Sequence, residues 1–144
     1  MLKTIELNES KKIVPINKAL GSKDEELEIY LQDSGSSINR VITENPAKEK
    51  IQVTTLDKFV KENNLEIGLI KVDIEGFEQE FLKGAFETIK AQKPTLLISI
   101  YHNASDFFDI KPMIESWNLG YKFRIVKPID GGIRGETLLI AEQE

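Results

Sequence analysis

Asp73 and Glu75 stand two residues apart in the stretch LIKVDIEGFEQEFLKGAFETI, residues 69–89. An apolar run, Leu69 to Val72, stops at Asp73 and gives way to an amphipathic segment. Residues i and i+2 of a strand lie on one side, so the two carboxylates can converge on one ligand. A strand end that feeds a helix is also where open α/β sheets hold ligands. Gly76 lets the chain turn closely beside such a ligand. The single histidine, His102, ends a later apolar run. Histidine ordinarily titrates near ~6.5, which suits proton transfer near neutrality.

Three readings of this group are open. Asp73 can simply end the strand, with Glu75 as a first-turn acid favoured by the helix dipole. The carboxylate pair can hold a divalent metal ion. Or a carboxylate can bind the amino group of a cationic cofactor. His102 is either a base or a polar residue capping the segment after it, and Asp73 is the alternative base. The metal reading has a specific version, because VDIEG looks like the D-x-E opening of proofreading-type exonucleases. Tyr101, His102 and Asp106 supply H-x-x-x-D and Y-x-x-x-x-D, the reverse of that family's spacings. A metal-dependent nuclease is therefore a weaker rival, and no metal ligand is assigned.

The elements that position these groups are legible in order. Ile13-Val14-Pro15-Ile16 predicts an edge strand, since proline cannot donate to a ladder. LEIYL (27–31) alternates as a half-buried strand, and IQVTT (51–55) predicts an antiparallel partner for it. Between them lies a polar loop, 32–50, whose Ser36, Ser37 and Asn39 are either substrate-gating or merely solvated. Thr55 predicts the cap of a helix over 56–64. IGLIKV (67–72) has the pattern of a strand covered on both faces. A helix follows over about 76–92 and stops at Pro94. TLLISIY (95–101) is another apolar strand, and 105–120 a helix capped by Ser105 or Asp106, with Pro112 in the first turn of its regular part. Trp117 is expected in the core. YKFRIVKP (121–128) and ETLLIAEQ (136–143) should pair as a terminal hairpin. GGIRG (131–135) is then a hairpin turn and not a phosphate loop, because no helix follows it. The layout is α/β, with parallel central strands.

Composition narrows the function classes. The 144 residues suit a single domain, 1–144. They are 40% hydrophobic and 30% charged, enough for a core. With 19 basic against 24 acidic residues and no basic stripe, nucleic-acid binding has no electrostatic footprint. The absence of cysteine excludes disulfides and Fe–S clusters. No signal-peptide core is apparent, and no apolar run approaches the ~20 residues of a membrane span. A soluble cytoplasmic protein without membrane partners is expected.

Several motifs recur in a fixed order: Thr55-Leu56-Asp57, then Lys71 to Glu78, then Leu82 to Ala85, then Lys93-Pro94. Together with INKALGSKDEELEIYL and GSSI upstream, this run resembles the FkbM family of S-adenosylmethionine-dependent methyltransferases over roughly residues 10–128. The resemblance implies a Rossmann-like class I methyltransferase fold. It places Asp73 beside the methionine part of S-adenosylmethionine and Lys18, Ala19 and Leu20 near the adenine. It turns Glu75 and His102 toward a small-molecule methyl acceptor, such as a sugar hydroxyl. Asp73, Glu75 and His102 are then the catalytic candidates.

The chain has no G-x-G-x-x-G. By the resemblance its numbering starts after the second strand, so the sheet is expected to be incomplete and the domain partial. Either the chain is part of a longer enzyme, or a partner chain completes the sheet, or the strands rearrange, or a second copy pairs with it. The last three leave room for a non-catalytic binding or oligomerisation module.

Overall fold

The computed structural model describes residues 2–32, 35–37, 47–127 and 135–143. Asn39 and residues 131–134 lie outside them. A short helix, α1 (Leu2–Leu7), buries none of its residues. Four strands then form one sheet: β1 (Ala19–Leu20), β2 (Glu25–Gln32), β3 (Gly35–Ser37) and β4 (Ala47–Thr54), in the order β1-β4-β2-β3. The alternation in LEIYL has its expected consequence, since β2 pairs antiparallel with β4 and Leu27 faces Ile51. β1 runs parallel to β4. The strand expected at Ile13–Ile16 does not form, and Ile13, Val14 and Ile16 stay exposed. Pro15 offers no donor there and holds its predecessor extended without a partner.

Helix α2 (Leu56–Asn63) begins as predicted. The Thr55 hydroxyl accepts from the Lys58 amide at 3.1 Å, while Leu56 and Val60 turn inward. Next come β5 (Leu69–Val72), α3 (Glu78–Lys83), α4 (Phe86–Gln92), β6 (Thr95–Ser99), α5 (Ala104–Ser116), β7 (Lys122–Val126) and β8 (Leu138–Glu142). Their strands form a second sheet in the order β5-β6-β8-β7. β5 and β6 are parallel, and β8 is antiparallel to both β6 and β7, which gives the expected closing hairpin. The described strands thus make two four-stranded sheets where the sequence reading expected one, and β5 stands at an edge. A single apolar cluster gathers Val72 of β5, Leu82 of α3, Ile89 of α4, Leu96 and Ile98 of β6, Ile114 of α5 and Leu139 of β8. No helix among the described residues is long and apolar enough to cross a membrane.

Three details depart from the sequence-based expectation. β5 is covered on one face only: Ile70 and Val72 are buried, whereas Leu69 is 58% exposed. The other face, with Leu69 and Lys71, is open. The helix expected over 76–92 is broken at Gly84-Ala85 into α3 and α4. There the chain presses against Gly21, so that a Cβ at position 84 would lie 1.9 Å from the Gly21 carbonyl oxygen. The new helix start at α4 is capped from outside, the Asp57 carboxylate accepting from the amides of Glu87 (3.1 Å) and Thr88 (2.7 Å). In α5 the N-cap position is Asn103, and Pro112 falls inside the helix. The hydrogen bond lost there is that of the Phe108 carbonyl, on an exposed residue where water can replace it.

Candidate functional site

The chain leaves β5 through two consecutive residues in the left-handed region, Glu75 (φ 57°) and Gly76 (φ 95°). For Glu75 that conformation costs about 1 kcal/mol. At Gly76 a side chain is excluded twice over, by φ and by Asn103, whose Nδ2 would lie 2.5 Å from a Cβ. This turn brings Glu78 of α3 back under the strand end, where its Oε1 accepts from the Ile74 amide at 2.9 Å. The Glu78 side chain is 0% exposed.

His102 follows β6 and meets the same turn. Its side chain is only 9% exposed, with Nδ1 2.9 Å from Glu78 Oε1 and Nε2 3.5 Å from Asp73 Oδ1 and 3.8 Å from Glu75 Oε2. These distances suit charge contact, but the groups are not aligned along the ring N–H directions. Both ring nitrogens and Glu78 Oε2 lack a hydrogen-bond partner among the described residues. The Tyr101 ring lies against His102 with centroids 4.1 Å apart, and its hydroxyl donates to Asp73 Oδ1 at 3.3 Å. Lys71 Nζ sits 3.3 Å from Asp73 Oδ2. The three residues proposed from sequence for catalysis, Asp73, Glu75 and His102, are therefore brought together.

The cofactor candidates stand differently. Ala19 and Leu20 form β1 in the other sheet, and Leu20 packs on the core. The strand ends at Gly21, where a Cβ would lie 3.0 Å from Phe77, and Ser22 Oγ donates to Glu80 Oε2 at 2.5 Å. β1 thus ends beside the start of α3. No hydrogen bond or ion pair among the described residues joins Lys18, Ala19 or Leu20 to the Asp73–His102 group. Ser36 and Ser37 lie in β3, paired with β2.

Asp106 does not assemble with the others as a nuclease would require. It is buried, and its carboxylate accepts from Asn103 Nδ2 (2.9 Å) and Gln79 Nε2 (3.0 Å), which ties the start of α5 to α3. The residue that sequence reasoning missed is Glu78, which entered it only as the end of the motif from Lys71 to Glu78. A signal was present: Phe81, Leu82 and Ala85 follow at i+3, i+4 and i+7, so Glu78 lies on the buried stripe of its helix.

Two tyrosines, one of them at the site, are perturbed by their surroundings. Burial, and then the negative charge of Asp73, pushes the Tyr101 phenol up to about 12. Burial alone pushes Tyr121 to about 12, and its hydroxyl donates to the Pro94 carbonyl at 2.7 Å. Both raised groups favour the fold fully below about pH 10, where unfolded tyrosine is still neutral, and that contribution is lost as pH rises through about 12. In an alkaline titration, two of the three tyrosines should acquire phenolate absorbance only near pH 12, with stability falling from about pH 10 upward. Ionisation of all three near pH 10 would show that these phenols are not enclosed in solution.

Comparison with known proteins matches the same region. A family model described as the methyltransferase FkbM domain matches residues 5–123. Among solved structures, the crystal structure of methyltransferase FkbM from Methylobacillus flagellatus KT superposes with a TM-score of 0.70 at 23% identity. That alignment covers 97% of this chain and 32% of the other, so the chain spans about a third of that protein's length and shares its fold over that part. No curated protein matches the sequence.

Proposed function

Because the chain belongs to the FkbM methyltransferase family, we propose that it serves S-adenosylmethionine-dependent methyl transfer to a hydroxyl of a small molecule or sugar. The observation that carries this reading is Asp73. Its carboxylate is 35% exposed at the end of β5, 3.5 Å from His102 Nε2. A partly open carboxylate of this kind fits the ammonium of an amino-acid cofactor, with Glu75 adding negative charge nearby. The family motifs extend the expectation to Lys18, Ala19 and Leu20, on the adenine side.

S-adenosylmethionine, when bound, supplies an activated methyl group on a sulfonium. The chain's own residues do the rest. Asp73 holds the ammonium and so fixes the donor. Placing its charge on the ammonium and not on the sulfonium avoids stabilising the ground state. Orientation of donor and acceptor in line then supplies most of the acceleration. His102, whose Nε2 lies 3.5 Å from Asp73 Oδ1, takes the hydroxyl proton, with the Glu78 carboxylate 2.9 Å from Nδ1.

The free edge of β5 favours a further element of this reading. Among the described residues β5 pairs only with β6, and Leu69 beside that edge is exposed. Strands from elsewhere in a longer polypeptide, a partner chain or a second copy cover it. If that covering is its whole role, the chain is a binding module without catalysis.

Calorimetric titration with S-adenosylmethionine tests the proposal. Saturable heat at one equivalent is expected. Absence of heat at millimolar ligand would show that these 144 residues form no working cofactor site.

A further inference from the structure

We propose that Asp73, Glu78 and His102 form a binding site for a first-row divalent cation, with Glu75 at its rim. The three residues come from three different elements, the ends of β5 and β6 and the start of α3. Each offers one ligand atom, and these atoms lie within 4.8 Å of one another. Adjacent donors around an ion with bonds of about 2.1 Å are separated by about 3 Å and opposite donors by about 4.2 Å, so the group must draw together to close on an ion.

The independent observation is the state of the buried atoms. Glu78 is 0% exposed, yet its Oε2 has no hydrogen-bond partner, and neither nitrogen of the nearly buried His102 has one. Buried carboxylate oxygens and imidazole nitrogens are costly when unsatisfied. All of these atoms belong to two of the three proposed ligand residues, each of which supplies one donor atom. Charge points the same way. Asp73, Glu75 and Glu78 bring three negative charges, and the facing cation is Lys71, an exposed side chain on the far oxygen of Asp73. A divalent ion offsets both remaining charges. Two carboxylates and one imidazole, without thiolate, suit Mn²⁺, Fe²⁺ or Zn²⁺ better than Ca²⁺ or Cu⁺.

Three protein ligands leave coordination positions open toward the exposed side of Asp73. An acceptor hydroxyl there would be made more acidic by the ion. That use rests on the methyl-transfer reading and replaces His102 with the ion as the group that activates the hydroxyl, whereas cation binding itself does not rest on it.

The test is Mn²⁺ titration of the chain, followed by calorimetry and by paramagnetic broadening of the ring resonances of His102. Because it is the only histidine, its signals need no assignment. One equivalent should bind and broaden them selectively. His102→Ala and Asp73→Asn should each weaken binding at least tenfold, with thermal unfolding confirming that both variants fold. Asp73→Asn keeps the test decisive should His102→Ala fail to fold, since Asp73 is partly exposed. Absence of saturable binding would overturn the proposal, as would equal affinity in folded variants, which would mean that scattered surface carboxylates hold the ion. A chain that binds Mn²⁺ but not S-adenosylmethionine would refute the methyl-transfer reading and leave this one standing; the converse would do the reverse.

Discussion

Gly84→Ala is expected to destabilise the chain by about 3 kcal/mol, near the upper end for overpacking a fixed site. The prediction is informative because local propensity gives the opposite sign. Gly84 has φ −83°, which alanine adopts freely, and it lies between two helices. Propensity alone would make alanine stabilising by up to about 1 kcal/mol. The decisive quantity is distance. A Cβ would stand 1.9 Å from the Gly21 carbonyl oxygen and 2.9 Å from its carbon. That carbonyl cannot swing aside cheaply, because Gly21 N donates to Thr54 O at 2.9 Å and Ser22 is bonded to Glu80. A drop in melting temperature of roughly 10 °C should follow. A variant as stable as the parent would show that the contact between β1 and the α3–α4 break is not kept in solution.

The same contact explains why part of the architecture was legible in sequence and part was not. Where one residue type acts locally, the sequence is sufficient. Thr55 caps α2, the alternation in LEIYL pairs β2 with β4, and the two C-terminal apolar runs pair as β7 and β8. What escaped depends on partners distant in the chain. The break at Gly84 is imposed by Gly21, and the start of α4 is capped by Asp57 of α2, thirty residues upstream. The T-L-D and L-K-G-A motifs, which marked the family, thus meet one another. Thr55 and Asp57 anchor α2 and α4, and Asp57 N donates to Gly84 O at 3.0 Å. These motifs hold the scaffold, and the chemistry is left to the strand ends.

At the site the division is similar. Asp73 and Glu75 stood out because carboxylates at a strand end are conspicuous, and His102 because it is the only histidine. Glu78 was hidden by two compatible explanations of one acid. A glutamate in the first turn of a helix is favoured by the dipole wherever its side chain points. The spacing of Phe81, Leu82 and Ala85 marks it as turned inward, and the packed structure adds that it meets Asp73 and His102 there. The coverage of β5 was misread for the converse reason. A continuous apolar run implies two covered faces, and in this chain one of them is open.

Asp73→Asn separates the readings that the sequence left open. If the carboxylate holds the ammonium of S-adenosylmethionine, the variant should bind about 30- to 100-fold more weakly, the loss of about 2–3 kcal/mol expected when a charge-assisted hydrogen bond becomes neutral. Asparagine keeps the shape, and its oxygen can still accept from Tyr101. Lys71 then loses its partner and leaves an uncompensated positive charge beside the ligand's own, which deepens the loss. Stability should hardly change, because Asp73 is 35% exposed and its pair with Lys71 lies at the surface. The helix-start reading of Asp73 predicts the reverse pattern, a change in stability of a few tenths of a kcal/mol and none in ligand affinity. Calorimetry with a chelator present, so that no divalent ion contributes at Asp73, measures the first quantity, and thermal unfolding of the same samples measures the second. Equal affinity at equal melting temperature would remove Asp73 from the cofactor site. A drop in affinity without a drop in stability would place the ammonium at the end of β5, and with it the side from which His102 meets the acceptor.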